Sequence, residues 1–217
     1  MQKSLLIWQL INKSLQEAVP VTLLYVLESK GSSPGRQGFF MAVTANGEMA
    51  GSIGGGIMEH KFVEMAKEQL KKQGERDGAQ RGSLKKQVHD KLTAANQSGM
   101  ICSGEQTIWL YPVQQKDAAT IQNILSSLDE HKNGTLILSP DAVHFDATIP
   151  GRNFEYTFKD EQDWLYKEKT GYKNQLFIIG GGHCALAFSK LMRDMDFYIT
   201  LFEERKELNT VSQNEFA

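Results

Sequence analysis

Leu5, Trp8, Ile11 and Leu15 recur at three- and four-residue steps, with Gln9, Lys13 and Gln16 on another face. Residues 4–18 therefore read as an amphipathic helix, and Pro20 stops it. Residues 21–27 are a continuous apolar and β-branched run, short enough between turn signals to be a buried strand. A glycine-rich loop follows at residues 31–38. Residues 39–44 and 48–53 flank Asn46-Gly47, a dipeptide suited to a tight hairpin turn. Helix formers fill residues 57–73, with Met58, Phe62, Met65 and Ala66 on the inner face and Gly74 at the end.

Further along, residues 74–83 are polar and read as a mobile surface segment, and 84–92 as a strand. Residues 107–113 read as a further strand, 118–131 as a helix, and 134–139 with 142–146 as a hairpin around Pro140-Asp141. Residues 154–158 alternate aromatic and polar side chains, as a half-buried strand does. The charged stretch 161–173 reads as a short helix and a linker. From residue 176 the pattern becomes strand, helix, strand (176–179, 184–194, 198–202), a single βαβ unit.

These elements predict an α/β protein. An N-terminal mixed-sheet domain spans residues 1–155, a linker 156–173, and an incomplete C-terminal Rossmann-like βαβ domain 174–217. Two parallel strands cannot bury both faces of an open sheet. Ile178, Ile199 and Leu201 are thus expected to lack a full cover, which points to a homodimer or to a sequence truncated at its C-terminal side.

Composition narrows the field. With 24 basic against 26 acidic residues, the chain has no electrostatic case for nucleic acid or membrane binding. Its apolar runs are far below the roughly 18 residues that span a bilayer, and no signal peptide opens it. Two cysteines, Cys102 and Cys184, fit a cytoplasmic protein with thiols rather than a disulfide scaffold.

The candidate chemistry sits in two glycine clusters about 125 residues apart, each leading into a helix. The first is Gly51-Ser52-Ile53-Gly54-Gly55-Gly56, followed by Glu59 in the first helical turn. Unobstructed amides and the positive end of a helix can cradle an anion. The plainer reading is a tight strand-to-helix turn, with Glu59 facing the helix dipole. The loop at 31–38 exposes further amides near Gly31 and Ser32, and Lys30 and Arg36 add positive charge. The second cluster is Gly180-x-Gly182-x-x-Ala185, with His183 at the helix start. Glu203 lies 23 residues beyond Gly180, near the ribose-binding acidic position of a dinucleotide fold. Cys102, flanked by Gly99 and Gly104, is either an inert thiol or a ligand for a soft metal, persulfide or oxidised metal centre. His60, His89, His131 and His144 lie in charged surroundings and read as surface residues.

Gly31-Ser32-Ser33-Pro34, Gly38, Met41, Gly47-Glu48 and Gly51 through Gly56 to Glu59 together resemble the N-terminal signature of the XdhC/CoxI family, the xanthine dehydrogenase accessory factors. Ile101-Cys102-Ser103-Gly104 is similar to that family's Cys-Gly-Gly segment. Residues 176–205 resemble the start of its C-terminal Rossmann domain, ending in Glu203, Glu204 and Arg205. The chain departs at Ile57, where the family often has Cys after the three glycines, and at Ser103. The family's Rossmann domain also continues past residue 217.

The resemblance implies a non-catalytic chaperone. It would bind molybdenum cofactor, protect it during sulfuration by a cysteine desulfurase, and insert it into a molybdenum hydroxylase apoenzyme. The implied cofactor-binding set is Gly31, Ser32, Arg36, Ser52, Gly54, Gly55, Gly56, Glu59, Cys102, Gly180, Gly182, His183 and Glu203, with Cys102 as the metal ligand. These segments are expected to converge on one pocket. The competing class is an NAD(P)-dependent oxidoreductase using the C-terminal unit, and a third is an interaction module in which both clusters are structural elbows. No Cys-x-x-Cys, catalytic triad or Walker motif supports hydrolysis or phosphoryl transfer.

Overall fold

The computed structural model describes residues 2–73, 81–89, 104–172, 174–195 and 197–217. Helix α1 (Gln2–Gln16) leads into β1 (Val21–Gly31), β2 (Phe40–Thr44), β3 (Met49–Gly51) and α2 (Gly56–Gln73). Then come β4 (Ser83–His89), β5 (Gly104–Pro112), a short 3-10 turn, α3 (Ala118–Asp129), β6 (Gly134–Ser139) and β7 (Ala142–Asp146). The chain continues through β8 (Phe154–Asp160), β9 (Asp163–Thr170), β10 (Asn174–Ile179), α4 (His183–Asp194), β11 (Phe197–Phe202) and α5 (Asn209–Ser212).

The α/β class holds. One sheet has five strands in the order β3-β2-β1-β5-β4, and a second has four in the order β7-β6-β9-β8. Every pairing inside both is antiparallel, where a mixed sheet was expected. Hydrophobic alternation reveals a strand but not its direction. Close sequence neighbours such as β1–β2 and β6–β7 are joined by short connections, which only antiparallel pairs allow.

Strand β1 is central, and its side chains divide the interior into two cores. Leu24 and Val26 face α2, where Met58, Phe62 and Ala66 are buried. Leu23, Tyr25 and Leu27 face the other way, onto α1, α3 and the four-stranded sheet, where Trp109, Tyr111, Trp164 and Tyr166 are buried. This period of two explains why residues 21–27 are apolar apart from the β-branched Thr22: both faces of β1 are covered. Helix α1 ends as expected before Pro20. Ala18 takes a left-handed φ of 53°, and the Val19 N–H reaches back to Ser14 O at 2.8 Å, a Schellman closure.

Two expectations fail. Residues 161–173 hold no helix among the described residues; β9 runs through them and pairs with both β6 and β8. The stretch 156–173, expected as a linker, thus supplies most of β8 and all of β9. Strand β10 pairs in parallel with β11 as expected, but Ile199, expected to lack a full cover alongside Ile178 and Leu201, is buried, while those two are half-buried. Phe177 and Ile179 are 58% and 90% exposed, whereas Ile199 on the α4 side is covered. The expected mobile segment at 74–83 lies largely outside the described residues, as do residues 90–92 of the expected fourth strand.

Candidate functional site

Strands β1 and β3 each run antiparallel to β2 between them, so they point the same way. The loop after β1 and the glycine cluster after β3 consequently leave the same end of the sheet. Strand β5 enters at that end as well, because Gly31 pairs with Gly104.

The contacts there are close. A Cβ on Gly35 would lie 2.0 Å from the Ile53 carbonyl oxygen, and one on Gly54 would lie 2.5 Å from the Gly35 nitrogen. Gln106, buried on β5, donates from Nε2 to Gly35 O (3.0 Å) and Ile53 O (3.3 Å). Ser33 Oγ donates to Gly35 O at 3.1 Å and shares a 2.6 Å hydrogen bond with Ser29 Oγ. Gly104 is also pressed on the first loop, where a Cβ would meet Lys30 O at 2.6 Å and Ser33 N at 2.8 Å. Two glycine loops and the start of β5 therefore form one block. Sequence reasoning missed Gln106, which lies just before the expected strand 107–113 and within β5, where nothing local marks it as a bridge between two loops.

Gly54, Gly55 and Gly56 all adopt positive φ (129°, 76° and 68°), a run that side chains would strain. Their geometry turns the chain back on Glu59. Glu59 Oε2 accepts hydrogen bonds from Ser52 Oγ (2.6 Å), Ile53 N (2.9 Å) and Gly55 N (3.0 Å), while Gly54 N donates to Ser52 Oγ at 3.1 Å. The carboxylate thus caps the turn from the first turn of α2, a favourable place for negative charge. The amides at 53–55 are engaged within the turn, in keeping with the plainer reading of this cluster.

An open rim surrounds this cap. Gly31, Ser32, Arg36, Ser52 and Gly56 are exposed, and no atom stands within 4 Å of the position a Cβ on Gly55 would take. Arg36 Nη1 donates to Gly31 O at 3.3 Å, which holds the guanidinium at the first loop. Cys102 lies outside the described residues. No group of three or more metal-ligating side chains occurs among the described residues.

The C-terminal glycine turn makes the following hydrogen bonds to residues of the C-terminal segment 174–217. Gly180 N donates to Phe202 O at 2.8 Å, Gly181 N donates to Glu203 Oε2 at 2.5 Å, and Thr210 Oγ1 donates to Gly181 O. Gly182 caps α4 in an extended conformation, and His183 and Cys184 are exposed in its first turn. Glu203 Oε1 accepts from Arg205 N and Nε, both at 2.9 Å, and Oε2 accepts from Nη2 at 2.8 Å. The acid at the ribose position is already occupied by its own chain.

Hydrogen bonds from the Arg205 side chain, then its backbone amide and that of Gly181, hold the Glu203 carboxyl well below the ordinary glutamate range. A depressed folded-state pKa stabilises above the unfolded value, near 4.3, and that stabilisation is lost as pH falls through the folded one. Glu203 is therefore expected to stay ionised below pH 4, and the latch to loosen only in stronger acid. Arg205→Ala should move its titration up toward the ordinary value in a carboxyl carbon NMR titration. An unchanged midpoint would show that Arg205 does not set it.

The XdhC and CoxI family profile matches residues 14–81, the segment that holds both N-terminal loops and α2. No curated protein matches the sequence. Among solved structures, the fold is similar to that of a protein from Bacillus halodurans described as a xanthine dehydrogenase. The TM-score is 0.60 at 16% identity, over 94% of this chain and 63% of that one. The chain thus spans less than two thirds of that structure's length, and the likeness is one of fold. No helix among the described residues is long and apolar enough to cross a membrane.

Proposed function

Starting from the XdhC and CoxI match, we propose that this chain is a non-catalytic accessory factor in maturation of a xanthine dehydrogenase-type molybdenum hydroxylase. In this reading it holds molybdenum cofactor while a cysteine desulfurase supplies sulfur, then passes it to the apoenzyme. The observation that carries the proposal is the joining of both N-terminal glycine loops and the start of β5 into one block with an open rim.

The rim fits such a group in its donors. Arg36 would meet a phosphate, with the Ser32 hydroxyl and the first turn of α2 beside it. Glu59 would keep the turn in shape rather than touch an anion, because like charges repel. The cofactor would supply its molybdenum–oxo–sulfido centre. The family resemblance assigns Cys102 as the soft ligand, and a homodimer belongs to the same reading.

Equilibrium dialysis against molybdenum cofactor, with the wild-type chain beside Arg36→Ala, Gly55→Val and Cys102→Ser, tests this. Gly55→Val should reduce retention at least tenfold by filling the open flank, Arg36→Ala should weaken it, and Cys102→Ser should impair retention or sulfuration. A wild-type chain that retains no cofactor would overturn the proposal. The oxidoreductase reading instead requires NADH binding at the C-terminal unit, where Arg205 and Gly181 already occupy Glu203.

A further inference from the structure

Glu168 takes the third inward position of β9, after Trp164 and Tyr166, and is only 5% exposed. A carboxylate so deep is costly unless it is hydrogen-bonded, and packing alone would be served by an aliphatic side chain. Its setting is accordingly fixed. Oε2 accepts the Tyr166 hydroxyl at 2.8 Å, from the same strand, and the Tyr25 hydroxyl at 2.5 Å, from β1. Burial, followed by the neighbouring Glu168, pushes both hydroxyls above the ordinary tyrosine range, so they stay protonated and donate. Tyr25 is itself steadied by stacking on Phe40, with ring centroids 5.0 Å apart.

The carboxylate presses on the end of the first glycine loop. A Cβ on Gly38 would lie 2.8 Å from Glu168 Oε1, 2.9 Å from Oε2 and 2.8 Å from Cε1 of Phe154, the residue opposite Glu168 on β8. Gly38 has a φ of 85°, and Phe39 N donates to Arg36 O at 2.9 Å. Residues 36–39 thus close a turn with glycine in its third position, as a type II turn requires. Gly38 N donates to Val26 O at 3.0 Å, and Gln37 Nε2 donates to Leu27 O at 2.9 Å, where β1 shifts register against β5. The turn is tied to β1 and rests against the Glu168 carboxylate. Arg36 is its first residue, and the guanidinium reaches back across the loop to Gly31 O.

The geometry points to Glu168 as a positioning residue for the rim: held by two tyrosine hydroxyls, its carboxylate fixes the 36–39 turn through Gly38 and so sets where Arg36 presents its guanidinium. The inference rests on the reading of the rim as the place where an anionic ligand is held. Glu168 acts through the turn and has no need to meet the ligand. An aliphatic side chain of similar size would fill the space beside Gly38. Without the two hydroxyl tethers, however, it would follow the loop rather than direct it. The four-stranded sheet supplies none of the rim residues, yet it becomes their brace.

Native-state hydrogen exchange of the full chain, without ligand, reads the turn directly. Glu168→Gln keeps the shape of the side chain but turns one oxygen into a donor, either at the tyrosine hydroxyls or against Gly38. The Phe39 amide, which closes the turn, should then exchange at least tenfold faster relative to the amide of buried Phe62 in α2 than it does in the wild type. A purely structural role would move both amides together. Equilibrium dialysis against molybdenum cofactor reads the consequence. Glu168→Gln should lower retention at least fivefold, yet add less than twofold once Arg36 is replaced by alanine, because the two act as one unit. Should Glu168→Gln fail to fold, Tyr25→Phe keeps the ring and removes one tether, and a rise in the same exchange ratio and the same coupling to Arg36 are expected. A wild-type chain that retains no cofactor overturns the function proposed above, while the exchange ratio still decides whether Glu168 fixes the turn. An unchanged ratio, or a retention loss fully additive with that of Arg36→Ala, would overturn the inference.

Discussion

Gly54→Ala is expected to destabilise the protein by about 2–4 kcal/mol, whereas Gly55→Ala, one residue on, should cost only about 1–2 kcal/mol. Both residues have positive φ, so both replacements carry backbone strain. The difference is space. A methyl group on Gly54 would stand 2.5 Å from Gly35 N and press the two loops apart, while one on Gly55 meets no atom within 4 Å. Urea denaturation of the two variants, read by tryptophan fluorescence, measures the gap. Equal destabilisation would mean that the loops do not pack as the structure has them. The same contrast makes Gly55 the better place to probe binding, because a larger side chain there blocks the rim without separating the loops.

The second large effect is expected from Glu59→Ala. Removing the carboxylate leaves Ser52 Oγ, Ile53 N and Gly55 N without their acceptor. Ile53 is fully buried, so its amide has no ready access to water. Hydrogen bonds to a charged group contribute about 1.5–3 kcal/mol, and an orphaned buried donor costs a similar amount. A loss of about 2–3 kcal/mol follows, together with faster hydrogen exchange at the Gly55 amide. Glu59→Gln keeps an acceptor oxygen and should lose less than half as much. If Glu59→Ala unfolds at the wild-type urea concentration with unchanged exchange, Glu59 is not the cap of this turn.

Much of this arrangement was legible in the sequence. The apolar run 21–27, the Asn46-Gly47 turn and the Pro140-Asp141 turn each carry a local signal, and each marks the element found. Strand β9 is the instructive failure. Its charges, from Asp163 to Lys169, suggest a solvated helix, yet Trp164, Tyr166 and Glu168 alternate inward. Because the third inward position is a glutamate, the period of two is disguised. Its compensation comes from the nearby Tyr166 and from Tyr25, 143 residues earlier, and no local window contains the second partner.

For the candidate site, the glycine clusters and Glu59 were visible as residue types, and helical spacing placed Glu59 in the first turn. Which partner Glu59 would take was not, because a first-turn carboxylate suits both a cap and a pocket. The role of Gln106 depends on β5 lying beside β1, a long-range pairing that spacing alone does not disclose.

That long-range pairing also has a kinetic side. Strand β1 meets β2 across a short connection, but its other neighbour, β5, arrives only after an intervening stretch of roughly 70 residues, and closing so long a loop costs about 2 kcal/mol more chain entropy than closing the hairpin. Contacts of such high sequence separation are characteristic of slow-folding topologies. Gly31 and Gly104 meet only through this pairing, and Gln106 reaches Gly35 and Ile53 only once β5 is seated. A chain emerging from synthesis therefore has both glycine loops in hand well before it has the block they form. Assembly of the rim becomes a late event, tied to completion of the central sheet, and a nascent or half-folded molecule has no finished rim to offer a ligand.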